Sequence, residues 1–552
     1  MKRKQKDKLA DNLPACAVEF IRLVIKKMRY RKKVRQDVQA ELSAHFEDEL
    51  KDLATDEEKA QKAQQLIAGF GDVKLLAVLL RRAKNRCRPL WRTAVVRTFQ
   101  TVGMLIICIV IYVVWFLTGK PVVTTNYVAE LNRIVRPVAD ENLNAAPFYH
   151  EAAKLVEKLS DDMKGLLRKK YDEVTAEEKQ LIEKWLNGNK EILELVIAGT
   201  GKPYCWQKYE GEEMISILMP DLAEFRKLAY SLCWRAQLRA EQGRYEDAFG
   251  DIKSCYRFGQ HIRGDKTLVE QLVGIAIEAM AIQTLRDILS EREINSVVLA
   301  ALQRDLEQII SSEDFIVSFK AEKLFMYDEI QRWFTQDRFG GGHISLEALK
   351  RYQIVKEMSS VSLDFSLFEE LWSKSLHILF THPNKQQTRE MADRCYAFLG
   401  KIAHKTPAQI RAEGIDIEKQ AMEIIKGNIL LEILTPAISR ISELSHRNRA
   451  DVEAVLTIIA ILRYEQDSGG YPQNLQELIA DAYLKQLPID PYSNEPLVYR
   501  RTDEGFTLYS LGPNFTDDGG EYGKDRKGKP RLWYSLDADA VFWPVPKLQV
   551  KQ

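Results

Sequence analysis

An uncharged run of apolar residues constrains this chain most. From Thr98 to Gly119 there is no Asp, Glu, Lys or Arg, and the run from Thr101 reads TVGMLIICIVIYVVWFLTG. About 20 apolar residues in a helix match the roughly 30 Å hydrocarbon core of a bilayer. A buried core helix is normally shorter and amphipathic, whereas this run is apolar all round and carries Tyr112 and Trp115, typical interface anchors, near one end. The sequence therefore predicts one transmembrane helix over residues 98–119.

Charge predicts the orientation of this helix. The first hundred residues hold 24 lysines and arginines against 13 acidic residues. The basic residues just before the span are Arg81, Arg82, Lys84, Arg86, Arg88, Arg92 and Arg97. Only Lys120 follows closely on the other side, so the positive-inside rule predicts a cytoplasmic N-terminus and a periplasmic C-terminus in a bacterial inner membrane. The same rule explains the basic block without a nucleic-acid partner. About a hundred residues precede the span, which excludes a cleaved signal peptide.

Residues 1–92 are predicted to form a small basic helical module in the cytosol. Apolar spacing indicates helices over 14–31, 34–53, from Thr55 to about Gly69, and 73–83. The pattern Asp37-Val38-x-x-Glu41-Leu42-x-x-His45-x-x-Asp48, followed by AQQLIAGFGDVKLLAVLLRRA, resembles the helical module of the HAAS or permease-prefix type. The resemblance covers about residues 30–85 and implies an interaction or signalling domain. Glu41, His45 and Asp48 share one helix face, which we interpret as a solvated face and not as a metal site.

Residues 120–448 are predicted to form a large, mainly α-helical extracytoplasmic domain. A Gly-x-Tyr-x-x-Ala turn from Gly243 to Ala248 joins two helical patterns and resembles one hairpin of a tetratricopeptide-type repeat. Only one clear copy is visible, so we predict a helical hairpin and not a solenoid. The apolar segment TLVEQLVGIAIEAMAIQTLRDIL contains Glu270, Glu278 and Arg286, and we expect it in the domain core and not in the membrane. The loop at 338–343 is predicted to be a flexible connection.

Residues 449–552 are predicted to form a small α+β domain. Alternating residues around Asp503-Glu504-Gly505 are typical of a β-hairpin. Tyr471-Pro472-x-x-Leu475, Leu487-Pro488-x-Asp490-Pro491, Ser510-x-Gly512-x-Asn514 and Asp537-x-Asp539 resemble the C-terminal domain of type II secretion major pseudopilins. No hydrophobic pilin helix directly precedes this domain, so the resemblance implies a head domain that does not polymerise as a pilin. The whole layout resembles that of membrane proteins of planctomycete-type bacteria.

One oxygen-rich cluster has plausible metal spacing. Its members are Asn514, Asp517, Asp518, Asp537 and Asp539. Calcium takes six to eight oxygen ligands in flexible, glycine-containing loops, and the pseudopilin resemblance implies a calcium loop here. The alternative is an ordinary acidic surface turn, because Asp, Asn and Gly also dominate such turns. Gly528-Lys529-Pro530 interrupts the acidic loop, which departs from the family pattern.

Other chemical signals are weak. The seven cysteines form no CxxC pair, and Cys205, Cys233, Cys255 and Cys395 are expected in an oxidising compartment that permits a disulfide of unassigned pairing. There is no Gly-x-Ser-x-Gly, HExxH, Rossmann or Walker pattern. We therefore expect a non-enzymatic envelope protein that serves as a binding or assembly scaffold, with protein partners on both sides of the membrane. A periplasmic hydrolase and a transmembrane signal transducer are the alternatives.

Overall fold

The computed structural model divides the chain into two compact units, residues 1–115 and 116–552. It describes residues 13–86, 90–157, 160–169, 171–217, 219, 221–310, 315–338, 341–345, 347–348, 351, 381–435, 438–503, 505–525, 528–533 and 538–546. Helices make up 67% of the structure, which confirms the prediction of a mainly α protein.

The first unit begins with four helices around a small core. They are α1 (Ala15–Lys27), α2 (Lys32–Leu50), α3 (Asp56–Phe70) and α4 (Val73–Arg86). The four predicted helices are thus confirmed. Phe20 of α1 and Phe46 of α2 are buried against each other, with ring centroids 6.2 Å apart. Thr55 begins α3 through a capping box with Glu58, and Gly71 ends it at a φ of 71°, a backbone angle that favours glycine. Glu41 forms an ion pair with Lys84 of α4.

Two helices of the described residues are long and apolar enough to cross a membrane. Helix α5 (Leu90–Thr118) contains the first, Ala94–Thr118, with a mean hydropathy of 2.5 and 6% of its most apolar window buried. The second, α13 (Leu268–Glu291), has a mean hydropathy of 1.4 and 56% of that window buried. Helices α3 and α4 meet at an angle of 69°, and together they would count as a third candidate span if the bent pair crossed the membrane as one segment.

The second unit continues with helices and ends in a small sheet. In chain order its first helices are α6 (Tyr127–Val135), α7 (Ala146–Glu157), α8 (Asp161–Leu167), α9 (Ala176–Gly188), α10 (Lys190–Thr200), α11 (Leu222–Glu241), α12 (Tyr245–Arg263), α13, α14 (Ser296–Ile309) and α15 (Lys320–Trp333). They are followed by α16 (Lys385–Ile402), α17 (Pro407–Ala412), α18 (Ile417–Ile425), α19 (Ile429–Leu434), α20 (Ile438–Ser468) and α21 (Leu475–Ala480). The strands are β1 (Val498–Thr502), β2 (Gly505–Ser510) and β3 (Ala540–Trp543).

Helices α11, α12 and α13 pack against one another at the centre of this unit. The predicted hairpin of α11 and α12 is confirmed, and Gly243 makes its turn at a φ of 75°. Helices α12 and α13 approach closely where Gly259 faces Gly274. A Cβ atom on Gly259 would lie 2.8 Å from the Gly274 carbonyl oxygen and 2.9 Å from the Glu278 backbone nitrogen. Only the absence of side chains at this crossing allows the two backbones to come so near.

The C-terminal sheet packs against the long helix α20. Strands β1 and β2 form the predicted antiparallel hairpin, with Thr502 opposite Gly505, and β3 adds to β2 in the order β1-β2-β3. The boundary predicted at residues 448/449 falls inside α20, which contacts α13 and α14 as well as β2 and β3. Buried residues of the helices and of the sheet belong to one hydrophobic cluster. The C-terminal residues therefore share their core with the helical region.

We predict that Gly259→Ala destabilises the protein because the added methyl group forces α12 and α13 apart. Overpacking of this kind costs about 1–3 kcal/mol. Gly250→Ala in the same helix is the matched control, since a Cβ there meets no atom within 4 Å. It should be neutral or stabilising by up to about 1 kcal/mol through helix propensity. Thermal unfolding of the full chain in detergent measures both. Equal stability of the two variants would contradict the close crossing.

Candidate functional site

The acidic loop, defined here as residues 514–520 together with Asp539, lies at the end of strand β2. Asp490 fixes the start of this loop. Its buried carboxylate accepts hydrogen bonds from the Ser510 hydroxyl at 2.7 Å and from the backbone nitrogen of Leu511 at 3.1 Å. Gly512 and Phe515 then take left-handed backbone angles, with φ values of 69° and 59°. The residues of the Leu-Pro-x-Asp-Pro motif thus hold the strand end from which the loop leaves.

Asp517 is held by the hairpin beneath it. Its carboxylate pairs with Arg500 of β1 at 2.9 Å and accepts a hydrogen bond from the Tyr509 hydroxyl of β2 at 2.7 Å. The backbone nitrogen of Gly519 donates to the same carboxylate at 2.9 Å. The Tyr509 hydrogen bond, with help from Gly519 and Arg500, keeps the pKa of Asp517 below its ordinary value. Asp517 is therefore ionised and already neutralised by a cation of the protein.

The other predicted ligands are arranged differently. Asn514 donates from its side-chain nitrogen to Asp518 at 2.6 Å, so these two side chains are joined. Asp539 is 3% exposed, and one of its oxygens accepts from the Gly520 backbone nitrogen at 2.7 Å. Its other oxygen, Oδ1, is buried without a hydrogen-bond partner among the described residues. Burial raises the pKa of Asp539 to about 6. Asp537 lies outside the described residues.

These oxygens fit a calcium ion only in part. Asp539 offers one buried oxygen, Oδ1, that does not take part in the hydrogen bond from Gly520. Asp517, however, would have to exchange Arg500 for the ion, and Asn514 and Asp518 would have to separate. Within the described residues, no group of three or more His, Cys, Asp and Glu side chains could hold a metal ion. Calcium binding by this loop stays a prediction.

A second set of residues, which sequence reasoning missed, lies within the second unit and joins its first residues to α15 and the loop after it. We define the junction as Phe116, Gln331, Thr335 and His343. The His343 ring stacks on Phe116 with centroids 4.4 Å apart, and its Nε2–H donates to the Phe116 carbonyl oxygen at 2.9 Å. Gln331 accepts from the backbone nitrogens of Thr124 at 3.1 Å and Thr125 at 3.2 Å. The last turn of α5 and the chain that follows it are thus tied to α15 and its following loop.

The loop at 338–343, predicted to be a flexible connection, takes part in this junction. The Thr335 backbone nitrogen donates to the His343 carbonyl oxygen at 2.9 Å. Phe334 and Ile344 form an isolated antiparallel β-bridge. A Cβ on Gly342 would lie 2.0 Å from the Thr335 carbonyl oxygen, so this glycine is required for the close return of the chain. Phe339 and Gly340 lie outside the described residues.

Buried charges surround the junction. Asp328 and Glu329 of α15 are fully buried. Arg332 pairs with Asp328 at 3.0 Å and with Glu213 at 2.9 Å, and Arg351 pairs with Glu213 at 3.0 Å and with Glu329 at 2.7 Å. Burial raises the pKa of Glu329 against the opposing effect of Arg351. Removal of one member would leave an unpaired buried charge, so this cluster fixes α15 in place.

Two further features bear on the predicted chemistry. A polar cleft of about 190 Å³ is lined by Thr200, Lys253, Ser254, Arg257, Asp305, Gln308 and Ile309. Sites for small molecules usually measure about 300–1,000 Å³, so this recess is small for a substrate. Of the cysteines expected outside, Cys233 and Cys255 lie with their sulfur atoms 3.8 Å apart, and both are free thiols in this structure.

We predict that Asp539→Asn stabilises the protein at pH 8 by about 1–3 kcal/mol, because the ionised carboxylate is disfavoured in its buried position. The folded-state pKa of about 6 lies above the ordinary value of 3.8. The native residue therefore loses stability as the pH rises from about 4 through 6, and the advantage of the variant should vanish near pH 4. Thermal unfolding in chelator at several pH values tests this.

The same variants test calcium. Millimolar calcium should raise the Tm of the wild-type protein and leave that of Asp539→Asn unchanged. Asp503→Asn, which removes an exposed carboxylate outside the acidic loop, is the charge-matched control, and calcium should raise its Tm as it raises that of the wild-type protein. An identical wild-type Tm in calcium and in chelator would remove the calcium prediction without affecting the pH argument.

Comparisons with known proteins identify no relative of this chain. Neither the models of protein families, nor the curated proteins, nor the solved structures give a match to this chain. A proposal about function therefore depends on the residues and contacts described above.

Proposed function

We propose that this chain is a single-pass inner-membrane protein whose periplasmic part serves as a non-enzymatic binding or assembly scaffold. In this proposal residues 1–92 form a cytosolic module, residues 120–448 a periplasmic helical region, and residues 449–552 a pseudopilin-like head. The single observation that carries it is the contrast between the two helices that are apolar enough to span a membrane.

Helix α5 exposes its apolar side chains, whereas α13 buries its own. In α5, Ile107 is 60% exposed and Val110 is 54% exposed, which in water would be an unusual apolar surface. In α13, Glu278 pairs with Arg263 at 3.1 Å, and Arg286 lies 3.5 Å from Asp451. Charges paired in this way belong to a folded core, and their partners come from the neighbouring helices α12 and α20. These observations support α5 as the span and α13 as a core helix.

The orientation in this proposal rests on the charge distribution of the sequence, and the role of the head rests on the resemblance to pseudopilins. The basic residues before α5 favour a cytoplasmic N-terminus. The β1/β2 hairpin, its third strand and the acidic loop suit a pseudopilin-like head. The strand β1 leaves Arg501 and Thr502 exposed at one edge of the sheet, where a protein partner could add contacts.

A signal transducer is the second candidate, and the junction favours it. Gln331 and His343 hold Phe116, Thr124 and Thr125, at the start of the second unit, to α15 and the loop after it. In a transducer, a change in α15 would act on this segment, which follows the predicted span. Gln331→Ala removes the contacts to Thr124 and Thr125. A transducer should then lose its cytoplasmic response while membrane insertion stays intact, whereas a passive scaffold should keep its partner binding.

We predict that the double variant Ile107→Arg with Val110→Arg abolishes stable membrane anchoring. Each arginine at the centre of a span costs about 2.5–3.5 kcal/mol in insertion. Extraction of cell membranes with alkaline carbonate should release the variant and retain the wild-type protein. Val269→Arg is the control, because Val269 is 53% exposed on α13 and is not expected in the membrane. A double variant that resists extraction would mean that another helix anchors the chain.

The scaffold role predicts a specific neighbour for the head. A photoreactive residue at Arg501, exposed on β1, should crosslink the full-length protein in its native membrane to components of a secretion or pilus-like system. Leu181, which is 52% exposed on α9, provides the comparison position. Adducts at neither position, together with turnover of model ester, glycoside or peptide substrates by the purified protein, would overturn the scaffold in favour of a hydrolase.

A further inference from the structure

Helix α4 has two apolar faces. One packs into the core of the first unit, and the other is exposed among the described residues. Ala77 is 2% exposed and packs into the core of the first unit together with the half-buried Leu76 and Leu80. The second face, which we call the outer stripe, consists of Leu75, Val78 and Leu79. These side chains are 60%, 44% and 51% exposed. Their spacing of three and four residues places them in one row along the helix.

Basic residues border the outer stripe. Lys74, Arg81 and Arg82 are exposed, and Arg82 extends the row of Leu75, Val78 and Leu79 by one further position. Lys84 points elsewhere, since it pairs with Glu41. Asp72 precedes the helix, and its carboxylate accepts hydrogen bonds from the backbone nitrogens of Lys74 and Leu75 at the start of the helix. Apolar side chains flanked by exposed cations are typical of a helix that lies in a membrane interface.

The connection to α5 keeps this surface close to the bilayer. Only residues 87–89 separate α4 from α5, and the apolar part of α5 begins at Ala94. An anionic cytoplasmic leaflet attracts basic residues next to a span within about 10 Å of its surface. A second protein copy is a poorer occupant, because a standard interface buries about 800 Å² on each side, far more than three side chains provide.

We propose that α4 lies on the cytoplasmic leaflet, with the outer stripe in the boundary between headgroups and acyl chains and with Lys74, Arg81 and Arg82 at anionic lipid phosphates. The proposal rests on the proposed function, since it needs α5 in the membrane and the N-terminus inside. It adds that the cytosolic module is held against the membrane by its own surface as well as by its tether.

The test uses the full-length protein in nanodiscs with a photoreactive benzoyl-phenylalanine at position 79. Discs with half phosphatidylglycerol should give lipid adducts at this position, identified by mass spectrometry. The matched position is Glu57, exposed in the acidic first turn of α3, where we expect a yield at least about fivefold lower. Discs of phosphatidylcholine alone should lower the yield at position 79.

A charge variant completes the experiment. Lys74→Glu with Arg81→Glu and Arg82→Glu should reduce the adduct at position 79 at least about fivefold, the factor expected from one basic residue at an anionic surface. Lys62→Glu, an exposed basic position on α3, should leave the adduct unchanged. All four positions are exposed, so the fold should be kept, and circular dichroism of the same samples checks this.

The outcomes separate this inference from the proposal it rests on. Equal adduct yields at positions 79 and 57, or crosslinks at position 79 to a second copy of the chain, would overturn the interfacial placement alone. Carbonate extraction and protease protection of the same protein report whether α5 is inserted with the N-terminus inside. Failure of that insertion would overturn both statements together.

Discussion

The second unit depends on a buried carboxylate in the middle of an apolar helix. Glu278 of α13 has no exposed surface, pairs with Arg263 of α12 at 3.1 Å and accepts a hydrogen bond from Asn448 of α20 at 2.6 Å. A buried charge is tolerated only when its partners are in place. The positions of α12, α13 and α20 therefore depend on one another. The glycine crossing of α12 and α13 next to Glu278 allows the approach that this pairing needs.

This constraint explains how two helices of similar length differ in their surroundings. Most apolar side chains of helix α13 are buried against other elements, and its charged residues Glu278 and Arg286 have partners on α12 and α20. Helix α5 carries no charged residue between Thr98 and Thr118 and has few neighbours in the described structure. By length and hydropathy both helices are candidate spans, but in α13 Glu278 pairs with Arg263 and Arg286 pairs with Asp451. Paired charges within an apolar segment are thus more informative than its average hydropathy.

Local patterns were predictable, and contacts between distant residues were not. The helices of the first unit, the hairpin of α11 and α12 and the β1/β2 hairpin followed from spacing, caps and turns. The junction of Phe116 with His343 and the ion pairs of Glu213 with Arg332 join residues that are more than a hundred positions apart. No periodicity encodes such pairs in a single sequence. The composition of the acidic loop could be recognised in the sequence. Its partner Arg500 lies on β1, where the alternating pattern predicts a strand but does not predict an ion pair with Asp517.

The C-terminal residues 449–552 are joined to the helical region by polar as well as apolar contacts. Asp451 of α20 faces Arg286 of α13 and accepts a hydrogen bond from the indole nitrogen of Trp533 at 3.2 Å. Burial raises the pKa of Asp451 to about 6 even though Arg286 and Trp533 oppose the shift. Loss of Trp533 would therefore leave this carboxylate with one partner fewer in a buried position. Residues 449–552 and the helical region share both this contact and one hydrophobic core, so the stability of the C-terminal residues depends on α13 and α20. Isolated residues 449–552 would begin within α20 and expose the face of this helix that packs on α13, so these residues are better studied within the whole chain.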